Sequence, residues 1–257
     1  MYVRFAKYGS EIATKSMKIR LALAFILIGI FCSGIVAQSV VITRKKVIYT
    51  RKEPISDNKK TFIINYPKVK AATPVLSKKI DNVLSYESVL GLKLQEELDQ
   101  YQWLRVADYK VKYNQKGALC VELWMEGDAA YPSSVNKIVV VDTETGKIAS
   151  PKDVFTNLAG LVTILRKAQD KEKKDTTAFF DKKEPGENDW EILYGDRRFE
   201  MSDLDGYEIG AKGVTFHYRY HFQHVAVMYE PSGEFFNTWK QLKPYINPTG
   251  LLGQFVR

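Results

Sequence analysis

The stretch from Tyr109 to Met125 constrains the fold more than any other. YKVKY alternates apolar residues with lysine, NQKG follows as a turn, and ALCVELWM alternates again. Successive side chains of a strand point to opposite faces, so Leu119, Val121, Leu123 and Met125 share one side. Two such runs about a glycine-containing turn form a β-hairpin. A hairpin with an apolar face must be covered by another layer.

The flanking segments supply candidates for that layer. VVITRKKVIYT and TFIINY, separated by the polar cluster SDNKK, have strand composition. Thr73-Pro74 places a capping residue before a first-turn proline, and Leu76, Ile80, Val83 and Leu84 recur at helical spacing. LKLQEELDQY reads as a second helical stretch. After the loop EGDAAYPSS come the strand KIVVVD, the turn TETG and the capped start SPKD. Leu158, Leu161, Val162 and Leu165 line a helix that ends in a solvated run from Gln169 to Asp175. KGVTFHYRYHF, HVAVMY and EFF read as strands, with a glycine turn at EPSG and a short helix around NTWKQL. The fold class is α+β, with mixed or antiparallel sheets and a few packed helices. Residues 38–257 make one domain, the alternative being two subdomains divided near 105–135.

The N-terminus has its own logic. Lys18 and Arg20 precede the apolar run Leu21–Phe31, and small Ala37 stands at a cleavage point. A basic start, a short apolar core and a small residue describe a secretory signal peptide over 1–37. Met17 is an alternative start. The competing expectation is an uncleaved membrane anchor, since Leu21 to Ala37 is just long enough to span. Residues 1–37 hold five basic residues against one acid, and so account for four of the eight excess positive charges. What remains is an ordinary mixed-sign domain, which argues against nucleic acid as a partner. Cleavage would remove Cys32 and leave Cys120 alone, inside a strand, as a small buried hydrophobe without a disulfide.

All three histidines, His217, His221 and His224, fall within TFHYRYHFQHV. On a helix they would converge on a metal. Alternation of Phe216, Tyr218, Tyr220 and Phe222 with His217, Arg219 and His221 describes a half-buried strand instead. Four strand residues span about 13 Å, too far for two ligands of one zinc. No metal or cofactor is expected. SDLDG holds too few alternating acids for an EF-hand loop. Nucleophile-elbow, zincin, P-loop and dinucleotide motifs are absent from the sequence, so no catalytic residue is assigned.

Four stretches carry a family resemblance: INYPKV with the helix KKIDNVL, the hairpin into EGDAAYPSS, KIVVVDTETGKIASPKDVF, and GVTFHYRYHFQHVAVMYEPSGEFFNTWKQLKPYI. In that order they resemble the extracytoplasmic domain family of unknown function typified by the RsiV anti-sigma factor, also found beside PdaC-type peptidoglycan deacetylase domains. Many members carry a glycine-alanine-histidine loop where this chain has Gly127 to Pro132 without histidine. The deacetylase domain has no counterpart here, and the residues ahead of Leu21 are too few for a cytoplasmic anti-sigma domain. The resemblance implies an exported binding or sensing module for an envelope protein or cell-wall component, touching membrane only through an uncleaved N-terminal segment. A hydrolase acting on envelope polymers is the alternative. Tyr131, His217, Arg219 and His221 are the surface-site candidates.

Overall fold

Strands β3 (Leu104–Gln115) and β4 (Ala118–Asp128) pair antiparallel where the alternation places them. Lys116 and Gly117 close the turn with φ of 50° and 67°, the left-handed pair that matches strand twist in a two-residue hairpin. A computed structural model of the chain describes residues 40–257 except 56–59, 129–131 and 187–188. The segment 1–37, expected to be a signal peptide, and Tyr131 therefore lie outside the described residues.

The hairpin sits in the middle of a six-stranded sheet. Strands β1 (Val41–Thr50) and β2 (Thr61–Lys70) pair antiparallel. Helices α1 (Pro74–Val83) and α2 (Tyr86–Leu90) and a π-helical turn at Glu96–Gln100 carry the chain from β2 to a parallel β3. At the start of α1 the Thr73 side chain accepts a hydrogen bond from Leu76 N–H, with Pro74 in the first turn. Strands β5 (Pro132–Asp142) and β6 (Lys147–Ile148) complete the order β1-β2-β3-β4-β5-β6. The sheet is mixed and the molecule is α+β.

Strand β4 is the spine of the structure. Leu119, Val121, Leu123 and Met125 pack under Ile80, Leu84, Tyr86 and Val89 of the helical layer. On its other face only Ala118 and Cys120 are covered, by a second core. That second layer is formed by α3 (Pro151–Val154), α4 (Leu158–Lys183), α5 (Trp190–Tyr194) and a three-stranded antiparallel sheet, with α6 (Trp239–Leu242) following its last strand. The small sheet comprises β7 (Tyr207–Ile209), β8 (Gly213–His217) and β9 (Glu234–Thr238). At its centre Phe216 lies 5.7 Å from the Phe155 ring, and Phe155 lies 5.8 Å from Tyr207. Burying a ring of this size contributes about 2–3 kcal/mol. Residues from Ser39 to Arg257 form one compact unit, with the β3–β4 hairpin in the middle of its large sheet.

Four local expectations are corrected. The strand through FHYRYHF stops at His217, whose partner Glu234 is the first residue of β9. Beyond it there is no ladder to join, and His221 turns the chain with φ of 54°. HVAVMY is accordingly a 3-10 helix, His224–Tyr229, and not a strand. EGDAAYPSS is mostly ladder: Glu126, Gly127 and Asp128 pair with Ser134, Ser133 and Pro132. Helix α4 does not end in its charged run. It continues to Lys183 because Phe180 packs edge-on to Tyr229 at 4.9 Å, with Trp190 at 6.1 Å.

Candidate functional site

Where the second layer stops, the β3–β5 face is left open and a cleft of about 430 Å³ forms beside the small sheet. Its base is a charge network assembled from four strands. Lys112 of β3 places Nζ 3.0 Å from Glu208 Oε2 of β7 and 3.5 Å from Glu122 Oε2 of β4. Asn136 of β5 donates to Glu122 Oε1 at 3.0 Å. Burial works against the Lys112 charge, but hydrogen bonding and attraction from Glu208, then Glu122, outweigh it and raise the ammonium pKa. His217 Nε2 is buried without a hydrogen-bond partner, 3.5 Å from the same Glu208 oxygen.

The segment after β8 forms the cleft wall. Phe216, Tyr220 and Phe222 are buried while Arg219 and His221 are exposed, so the burial alternation outlasts the strand. Other contacts replace the missing ladder. Tyr218 N–H donates to Gly233 O at 2.8 Å. Glu172 on α4 accepts from Tyr220 OH at 2.9 Å, Ser232 Oγ at 2.7 Å and Gly233 N–H at 3.1 Å. Burial, reinforced by Glu172, pushes the Tyr220 phenol pKa well up, so it stays a donor. His221 N–H donates to Glu230 Oε1 at 2.9 Å. On the facing side burial raises the Asp203 carboxyl above the usual carboxylate range.

Three of the four residues singled out in the sequence, His217, Arg219 and His221, therefore line one cleft, and Tyr131 lies outside the described residues. His224 opens the following 3-10 helix and does not line the cleft. Sequence reasoning missed Lys112, Glu122, Asn136, Asp203, Glu208 and Glu234. The signal for two of them was present: Lys112 and Glu122 occupy the polar parity of the two alternating runs. Their convergence depended on strand register, which alternation does not specify. Among the described residues no group of three histidine, cysteine or acidic side chains is placed to hold a metal ion. Chemically, the cleft offers donors and acceptors of both charges in an open setting.

The molecule is thus an α+β domain that carries a polar, mixed-charge cleft at the exposed end of a sheet face. Two crystal structures share this fold. One is a DUF3298-family protein of Bacteroides fragilis NCTC 9343, with a TM-score of 0.55 and 12% identity over 85% of this chain and 97% of that one. The other is a DUF3298-family protein of Pseudomonas aeruginosa PAO1, with a TM-score of 0.56 and 14% identity over 82% and 96%. At such identities the likeness is one of fold. No protein-family model and no curated protein matches the sequence.

Proposed function

We propose that this chain is an exported cell-envelope domain that binds a protein or cell-wall component through the cleft. The observation that carries this reading is the mixed-charge cleft itself, where Arg219 and His221 stand exposed above a fixed base of Lys112, Glu122 and Glu208. A pre-organised base with exposed charged arms at the rim suits recognition of a polar ligand. The basic residues, apolar run and small residue of 1–37 support export, and the motif resemblance to the RsiV-type domain supports an envelope setting. An uncleaved segment would leave the domain anchored to the membrane.

Hydrolysis of an envelope polymer ranks second and rests on the His217–Glu208 contact. At 3.5 Å that contact is at the outer limit of a hydrogen bond, and Glu208 is already engaged by Lys112 at 3.0 Å. The geometry therefore gives a general base less support than a binding site.

The test uses the full-length chain with a C-terminal tag, expressed in cells and captured from solubilised envelope. The expected result is a saturably captured component whose recovery falls about tenfold with the Arg219→Ala/His221→Ala double variant. Equal recovery by wild type and variant would sink the reading. Mass spectrometry of the same preparation should find an N-terminus near Gln38; an intact N-terminus in the membrane fraction would favour the anchor.

A further inference from the structure

The cleft continues onto a second groove of about 500 Å³ that shares Glu122, Asn136 and Arg219 with it. The floor of this groove is the polar face of the hairpin. Strand register aligns Asp108, Trp124 and Asn136 side by side across β3, β4 and β5. The flanking rows pair Lys110 with Glu122 and Glu126 with Ser134. Among the described residues Trp124 is the one aromatic in the groove lining, and it is half-buried, with the rest of its surface open to the groove.

The planar polar groups around it are held in place. Asp108 accepts from Asn65 Nδ2 at 3.0 Å and lies 3.4 Å from the Arg44 guanidinium. Asn136 is tied to Glu122 at 3.0 Å, and Glu122 to Lys112. An aromatic plate beside fixed amides and carboxylates, overhung by a guanidinium, matches the surface chemistry of a sugar. The C–H face of a pyranose is apolar and stacks on an indole, while its neighbouring hydroxyls donate to carboxylates and accept from amides and guanidinium.

Other occupants fit less well. Strand β4 is paired on both edges, so its backbone has no free ladder groups for an added peptide strand. Asp108, Glu122 and Glu126 stand on the same face as Lys110 and Arg219, so a polyanion would meet repulsion as well as attraction. Among the described residues of the groove lining Trp124 is the one apolar side chain, with exposed Val106 beside it, which is little for a purely apolar partner to cover.

We infer that the open β3–β5 face is a glycan-binding surface, with Trp124 as the stacking platform and Asn136, Glu122 and Arg219 reading the hydroxyls of a neutral oligosaccharide. This inference rests on the binding reading above and names its ligand class.

The test is a calorimetric titration of the full-length chain, kept in a detergent without a sugar headgroup. The probes are a tetramer of N-acetylglucosamine, cellotetraose and, as the polyanion, a heparin tetrasaccharide. The expected result is saturable binding of at least one neutral tetramer, weakened about tenfold or more by Trp124→Ala and largely retained in Trp124→Phe. Asn136→Ala, at an exposed position that leaves the core untouched, should weaken it as well and serves if Trp124→Ala does not fold. No saturable binding of either neutral tetramer up to about 10 mM, unchanged affinity in Trp124→Ala, or binding of heparin alone would each overturn the assignment. If the sugars fail while envelope capture still depends on Arg219 and His221, the glycan assignment falls and the binding reading stands. Sugar binding through Trp124 without any such capture would uphold the glycan surface and overturn capture through Arg219 and His221.

Discussion

Phe216 and His221 stand five residues apart and face opposite fates. Phe216 is fully buried against Phe155 and Tyr207, whereas His221 is exposed and holds a left-handed turn. Phe216→Ala should cost about 3–5 kcal/mol of folding free energy. His221→Ala truncates an exposed side chain and should stay within about 0.5 kcal/mol. Denaturant titration of the two variants checks this, and a costlier His221→Ala would mean that the imidazole is part of a structural network. Cys120 illustrates the same point about setting. It is fully buried beneath the second layer, and burial pushes its thiol up to about 12, so at neutral pH it is a protonated packing group and not a nucleophile. Strand parity sets Cys120 opposite Leu119 to Met125, so its burial comes from the second layer that covers this end of the face.

At the scale of elements, the segment 218–223 matters most, because it presents Arg219 and His221 without belonging to a sheet. Its position depends on Glu172 and Gly233. Gly233 has φ of 65°, and a Cβ there would come within 1.9 Å of Tyr218 O. Gly233→Ala should therefore cost more than about 1 kcal/mol, through both strain and the displaced Tyr218 bond. Glu172→Ala would strip the acceptor from Tyr220, Ser232 and Gly233 and should cost about 1–3 kcal/mol, much of it from the buried Tyr220 hydroxyl. Both losses can be read by thermal denaturation. Hydrogen exchange should place the new mobility in 218–233 and leave β3–β5 protected. A uniform loss of protection would show that the segment is not an independently held unit.

The whole molecule carries a pH dependence set by its tyrosines. Burial raises the phenol pKa of Tyr66, Tyr86, Tyr207 and Tyr220 above the ordinary value near 10. Each folded phenol thus holds its proton more tightly than the unfolded one. The stability this confers is fully present below about pH 10 and is lost as pH rises through and beyond it. The chain should unfold at alkaline pH in a cooperative step accompanied by a jump in tyrosinate absorbance. Gradual ionisation of these four phenols in a protein that stays folded would contradict their burial. Their locations explain the breadth of the effect: Tyr66 and Tyr86 belong to the helical side of the large sheet, Tyr207 to the second core and Tyr220 to the aromatic cluster behind the cleft.

Most of the elements were legible because each rests on contacts between near neighbours. The β3–β4 hairpin, the Thr73 and Ser150 starts, the Gly146 and Gly233 turns and the apolar face of α4 all depend on residues within one turn or one strand of each other. By itself the sequence determined the α+β class, the face that Leu119 to Met125 present, and the burial of Phe216, Tyr220 and Phe222 against the exposure of Arg219 and His221. It misjudged the strand beyond His217 and the 3-10 turn at His224, because a strand exists only where a partner offers a ladder, and β9 begins too late to do so. It also could not assemble the cleft. Lys112, Glu122, Glu208 and His217 come from four strands, and their meeting is set by register and by how far the second layer extends over the sheet. Only the tertiary structure decides that extent, because covering a sheet face is a matter of total layer area and not of local periodicity.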